Sequence, residues 1–306
     1  MFLKKRPFEF FAILSFSFFY LLMQKPLAAI SLSSSMPEGS KWQLDFIQEV
    51  SHTEGNGVGF DIGYTKGSLF LIGANGSQTF SPFIDFKGSV LNNGNYNLAL
   101  GIGSRSLISS ICGYLGANLY YDYLCRNQGY FQQVGGGFEF FGDGWEFRIN
   151  GYFPVGNKKQ IVSSCLFDDY VGGFFMKRTR LVNAMTGGDA EVGGSFEMQD
   201  FSFYAGLAGY YYNDTSCKCR SRQTGGAALR LDVGFSQYVK VELKGSADPL
   251  FGVRGQGTLF LTFPLSFGNK KRAAGRCNAA NKKRLKPVYR NDFIVTRKNC
   301  FWEWNF

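Results

Sequence analysis

The sequence predicts an all-β fold: a transmembrane antiparallel β-barrel of about twelve strands, followed by a short basic C-terminal tail. Three observations predict it. Segments of eight to ten residues alternate apolar and polar side chains with a period of two. Glycine and aromatic residues are in excess, with 39 glycines and 17% Phe, Trp and Tyr in 306 residues. Beyond the N-terminal leader, no apolar stretch approaches the ~20 residues of a spanning helix.

Residues 1–29 read as an export leader. Lys4, Lys5 and Arg6 precede an apolar run from Phe10 to Met23, which gives way to Pro26-Leu-Ala-Ala29. That charged, apolar, small-residue order belongs to a secretory signal peptide. The run is too short for a membrane anchor, and no cysteine directly follows Ala29, so lipid anchoring is not indicated. Residues 30–54 are expected to form a periplasmic segment, 55–267 the barrel, and 268–306 a linker-like tail.

Within 55–267 the alternation is plainest in three places. Trp145, Phe147, Ile149 and Phe153 oppose Glu146, Arg148 and Asn150; Ala227, Leu229, Leu231, Val233 and Phe235 oppose Arg230 and Asp232; Val239, Val241 and Leu243 oppose Lys240, Glu242 and Lys244. Such a segment suits a water-soluble sandwich with its charges outward. It equally suits a membrane barrel with its charges toward the lumen. Counting favours the barrel. Twelve candidate strands fall near 57–64, 79–88, 96–105, 113–123, 130–140, 145–153, 160–176, 188–198, 201–212, 224–235, 238–246 and 256–267. That is an even number, at about 20 residues per strand and connector, which fits spanning strands of ~9–11 residues. Turn signals lie between them at Asn92-Asn-Gly94, Gly142-Asp-Gly144 and Asp248-Pro249. Tyr120, Tyr121 and Tyr123, then Tyr210, Tyr211 and Tyr212, suggest interfacial girdles. The last segment sets Leu259, Leu261, Phe263, Leu265 and Phe267 on one face, with Pro264 expected near a strand end or edge.

The net charge of +10 is a property of the ends. Residues 268–306 hold eleven basic and two acidic residues, and 1–29 hold four and one, leaving 18 basic against 20 acidic between them. A nearly neutral body argues against nucleic acid as a partner.

Several stretches resemble the β-domain of inverse autotransporters, the intimin/invasin type of adhesin translocator. They are Gly57-Val-Gly-Phe-Asp-Ile-Gly-Tyr-Thr65, Phe83-Ile-Asp-Phe-Lys-Gly88, Ala99-Leu-Gly-Ile-Gly-Ser-Arg105, Leu115-Gly-Ala-Asn-Leu-Tyr-Tyr-Asp-Tyr123, Asn150-Gly-Tyr-Phe-Pro154 and Ala205-Gly-Leu-Ala-Gly-Tyr-Tyr-Tyr212. Leu285-Lys-Pro-Val-Tyr-Arg-Asn-Asp-Phe-Ile-Val295 resembles the linker that follows the barrel in that family. The resemblance implies a twelve-stranded outer-membrane barrel, a linker threading its pore, and a C-terminal passenger carried to the cell surface. It also implies outer-membrane lipid as the surroundings and the barrel-assembly machinery as the insertion partner. Here only 39 residues follow Phe267, too few for an adhesin, so the expectation is a passenger-less anchor or pore.

Catalytic signals are weak, and no enzyme, cofactor or metal is expected. Asp168 and Asp169 are strand neighbours that point to opposite faces. Val134-Gly-Gly-Gly137 lacks the helix and Lys-Ser/Thr of a phosphate loop. The sequon at Asn213-Asp-Thr215 matters only in a glycosylating pathway. The single histidine, His52, reads as a polar residue ahead of the first strand.

The seven cysteines are Cys112, Cys125, Cys165, Cys217, Cys219, Cys277 and Cys300. Their spacing disfavours zinc, and an odd number in an oxidising compartment leaves one thiol free or bonded to another chain. Cys217 and Cys219, in a basic loop, with Cys277 and Cys300 in the tail, are the candidates for disulfides or cross-links to other envelope proteins. Cysteines bonded within the chain or left free are the equal alternative. Two functions stay open: a translocator-type surface anchor or pore with the tail in its lumen, and a passive porin-like channel or structural outer-membrane protein. Glu146, Asp232 and Glu242 are inward acids able to attract the tail, although Arg148, Arg230 and Lys240 share their walls.

Overall fold

A computed structural model of the protein describes residues 43–74, 79–126, 129–171, 174–198, 201–214, 222–267 and 282–305. The leader expected at 1–29 lies outside these residues. Twelve antiparallel strands close into a barrel: β1 (Gln43–Gly55), β2 (Tyr64–Ala74), β3 (Phe80–Leu91), β4 (Tyr96–Ile108), β5 (Gly113–Arg126), β6 (Gly129–Phe141), β7 (Trp145–Val155), β10 (Thr186–Met198), β11 (Phe201–Asp214), β12 (Arg222–Phe235), β13 (Val239–Asp248) and β14 (Gly252–Phe267). Sequence neighbours pair throughout, apart from the β7–β10 pair and the β1–β14 seam that closes the ring. Between β7 and β10 the chain leaves the wall as a hairpin, β8 (Lys159–Val171) and β9 (Phe174–Ala184). β15 (Thr296–Asn305) adds to the open edge of β9.

The wall has the inverted polarity of a membrane barrel. Outward positions are apolar and exposed, such as Leu119 at 53% and Phe138 at 62%, while inward Arg105 and Glu146 are fully buried. This decides between the two readings of the alternation. A sandwich would leave Arg148 and Arg230 to water, yet they lie buried inside and Phe147, Leu229 and Leu231 stand outside. Charged side chains are absent from most of the outer face because no partner waits for them in hydrocarbon.

Gln43 and Phe267 begin and end the barrel at one mouth, where Leu44 pairs with Phe267. This near mouth also carries the brief connections β4–β5, β6–β7 and β12–β13. The far mouth carries the 56–63 loop, the β8–β9 hairpin and the β11–β12 connection.

Glycines thin the wall where an aromatic ring must lie flat against it. Gly101 on β4 is the cross-strand partner of Tyr120 on β5, and a Cβ there would run into the Tyr120 ring. With glycine present the ring covers the neighbouring strand and leaves the lumen clear.

Ten of the twelve expected strands form where the alternation places them, and two do not. The stretch 57–64 is a loop with one isolated bridge, Gly57 to Phe60. The stretch 160–176 is not a wall strand but most of the β8–β9 hairpin. Their places are taken by β1 and β2. Residues 43–54, expected to precede the barrel, are therefore part of its wall. β1 escapes notice because Gln48 and His52 interrupt its outer face. β2 escapes because Phe70 and Ile72 are apolar on the inner face as well. Those inner residues form a buried cluster with Ile47, Phe83, Ala99, Tyr120 and Val288, a residue of the tail, so apolar partners await them inside. The linker-like reading of 268–306 is likewise incomplete, since its last residues form β15. Pro264 lies past the last β13 pair, Val239 with Leu261, where β14 has only β1 beside it.

Leu119, near the middle of β5, tests the outward assignment. Leu119→Arg is expected to lower stability by about 2–4 kcal/mol, read from urea unfolding of the lipid-reconstituted barrel. Leu115→Arg, also outward but nearer the near-mouth end of β5, should cost less.

Candidate functional site in the lumen

Lys282 to Val295 form a connector that enters at the near mouth, crosses the lumen and leaves at the far mouth to become β15. It is anchored to the wall in three tiers.

At the near mouth, Lys283 Nζ donates to the carbonyls of Gly142 (2.9 Å) and Asp143 (3.1 Å) in the β6–β7 turn. Lys286 Nζ reaches Glu146 at 2.8 Å, with Lys283 3.7 Å from the same carboxylate, which Arg148 also engages. Arg284 pairs with Asp45 of β1 at 3.2 Å. Arg105 of β4 works in the opposite sense. Its Nε donates to Glu139 at 2.6 Å, and its Nη1 donates to the backbone carbonyls of Arg284 and Lys286. A wall guanidinium thus binds the connector's main chain while wall carboxylates bind its side chains.

Midway, the Tyr289 ring stacks on Arg230, whose guanidinium carbon is 3.6 Å from the ring centroid, and its hydroxyl donates to Glu242 at 3.3 Å. Arg230 is held on its other side by the Tyr204 ring at 4.2 Å and by Glu191 at 2.9 Å. Desolvated cation–π contacts of this kind are worth up to about 2 kcal/mol each.

In the upper lumen, Arg290 makes a two-pronged pair with Asp122, at 3.0 and 2.6 Å, and lies against the Tyr120 ring. Gly135 of β6 makes the room: a Cβ there would fall 2.9 Å from Arg290 Nη2. Gly135, the first of the three glycines at 135–137, is therefore a shelf for a guanidinium. Asp292 reverses the charge pattern, accepting from Lys66 (3.1 Å) and Lys87 (2.8 Å), and Lys87 also donates to the Val288 carbonyl. Above this tier Phe293 and Ile294 pack with Leu91, Leu124, Phe131 and Val182, and Val295 packs with Met185, Tyr152 and Tyr212.

Of the inward acids singled out from the sequence, Glu146 and Glu242 bind the connector. Asp232 instead faces Arg230 and Lys240, at 3.7 and 4.0 Å. Asp45, Asp122, Lys66, Lys87 and Arg105 were missed. Asp122 carried a signal, because a lone acid inside Tyr120-Tyr-Asp-Tyr123 has no place on a lipid-facing wall. Cys217, Cys219 and Cys277 lie outside the described residues, and Cys300 belongs to β15, described in its backbone. Cys112, in the β4–β5 turn, is disulfide-bonded, and Cys125 is a free thiol. His52 sits within β1, linked by hydrogen bonds of 2.9 Å to Thr65 and to Glu54.

Two outcomes are expected. Asp122→Asn strands the Arg290 charge and should destabilise the seated connector by about 3–5 kcal/mol, read as new trypsin cleavage between Lys282 and Arg290 in the folded barrel. Asp292→Asn leaves Lys66 and Lys87 facing a neutral amide and should expose the same segment to trypsin at neutral pH.

Residues 72–174, a third of the chain, match the family model of the inverse autotransporter β-domain. No curated protein matches the chain in sequence. A solved structure titled for the in-meso crystallization of membrane proteins shares 15% identity, with 83% of this chain and all of the other aligned at a TM-score of 0.57. The COG4313 outer-membrane channel of Pseudomonas putida F1 aligns at 13% identity over 76% of this chain and 97% of its own (TM-score 0.39), and the β-domain of the Bordetella autotransporter BrkA at 8% over 73% and 99% (TM-score 0.33). These likenesses show the fold, a closed membrane-type β-barrel. The chain folds as a closed twelve-stranded antiparallel β-barrel, and residues 72–174 within it are similar to the inverse autotransporter β-domain.

Proposed function

We propose that this barrel is a surface anchor of the translocator type, held with its own connector threaded through the pore. In this reading the leader at 1–29 directs export and the barrel-assembly machinery inserts the body. The near mouth, with its short turns, faces the periplasm. One observation carries the reading: Lys282–Val295 runs from the mouth where β14 ends to the opposite mouth, bound by wall side chains along the way. That path delivers β15 to the cell surface, where it is tied to the β8–β9 hairpin. Cys217, Cys219, Cys277 and Cys300 remain proposed disulfide or cross-linking positions, toward the chain itself or neighbouring envelope proteins. Non-reducing electrophoresis giving monomer alone would end the cross-linking idea.

A second reading, a porin-like channel, is favoured by the space the connector leaves beside β10–β14. It measures about 810 Å³ and is lined by Arg148, Glu191, Arg230, Lys240 and Glu242 among others. Two measurements separate the readings. An epitope after Phe306 should be labelled on intact cells if the connector threads outward; protection of the epitope in a folded barrel would refute the anchor. Single-channel conductance should rise when 268–306 is deleted if the connector is a plug, and stay unchanged if the chain is an open channel.

A further inference from the structure

At the far mouth, outside the lumen, a cleft of about 560 Å³ opens between the 56–63 loop, the β5–β6 and β13–β14 ends of the wall, and the start of β15. Among the described residues four cations line it, Arg126, Arg254, Arg297 and Lys298, together with the acid Asp61. They come from three separate elements, so no one strand's pattern accounts for their convergence. Arg254 is partly committed: Nη1 meets Asp61 and the Phe60 carbonyl, and Nε donates to the Phe251 carbonyl at 2.9 Å. That leaves Nη2 without a hydrogen bond among the described residues. Arg126, the last residue of β5, is half-buried, and its Nε is shielded from solvent with no hydrogen-bond partner. An arginine kept from water without an acceptor is costly unless something fills the gap.

We propose that this cleft binds a phosphate group. Guanidinium N–H groups approaching from two directions match the several oxygens of a tetrahedral oxyanion better than one carboxylate. The exposed Lys298 adds a mobile charge at the rim. If the far mouth is the cell-surface side, as proposed above, two sources share this chemistry: the phosphates of the outer-leaflet glycolipid and free phosphoanions. The recognition is the same for both, and the cleft itself does not depend on the orientation of the barrel.

The test uses the full chain folded in detergent micelles, titrated calorimetrically with inorganic pyrophosphate. In parallel, lipid A with its phosphates, or lipid A from which they have been removed, is mixed into the micelles and its retention measured. Arg126→Gln removes no described hydrogen bond and is expected to fold. Losing one charge-assisted contact should weaken binding by roughly tenfold, with Arg126→Lys recovering part of it. Lys298→Gln, on an exposed side chain, provides a second reading with a smaller loss. Pyrophosphate binding lost in these variants supports a site for the phosphate itself. Retention of phosphorylated lipid A alone, also sensitive to Arg126, supports a headgroup site. No binding of either probe, equal retention of dephosphorylated lipid A, or binding indifferent to Arg126 and Lys298 overturns the proposal.

Discussion

A charge that faces the inside of a narrow membrane barrel must find its counter-charge within the tube. The connector meets that constraint here. Residues 282–295 bring five cations and one acid into a lumen whose walls present Asp45, Asp122, Glu146 and Glu242. Where the connector turns acidic, at Asp292, the wall turns basic with Lys66 and Lys87. The basic charge of the C-terminal region is therefore not all a solvated tail. Part of it is the missing half of the barrel's own interior.

Buried ion pairs contribute little net stability when compared with well-packed apolar residues, but breaking one is expensive. Their main consequence in this lumen is register. Sliding the connector by a single residue would take Arg290 from Asp122 and Asp292 from its two lysines, and would move Val288 away from Phe70 and Phe83. Every tier penalises the same displacement. The apolar seal made by Phe293, Ile294 and Val295 at the far mouth then fixes the exit point, so β15 meets β9 in a single alignment.

The wall and the connector also share their aromatic chemistry. Tyr120 lies over Gly101 and supports Arg290; Tyr204 and Tyr289 enclose Arg230 from two sides. Inward tyrosines serve as flat, low-profile surfaces for guanidinium groups, and glycines on adjacent strands give those rings their room. The abundance of glycine and tyrosine thus follows from one geometric need, a thin wall that still offers dry contacts to arginine.

Period-two alternation was enough to locate β3–β7 and β10–β14, because lipid outside and charge inside impose opposite demands on adjacent residues. It failed at β1, where Gln48 and His52 break the apolar outer face, and at β2, where the connector's Leu285 and Val288 let the inner face be apolar. It also failed at 160–176, where a hairpin outside the wall carries no such demand. The acids at Glu146 and Glu242 were legible as lumen-facing, since their strands alternate cleanly. Asp122 with Arg290 and Asp292 with Lys66 and Lys87 were not, because those partners stand roughly 170 to 230 residues apart and only closure of the ring brings them together. The sequence by itself determined the barrel, its polarity and a basic segment able to enter it. Which wall residue meets which connector residue was decided by the tertiary structure, since pairing across a lumen depends on strand order and register that no local pattern encodes.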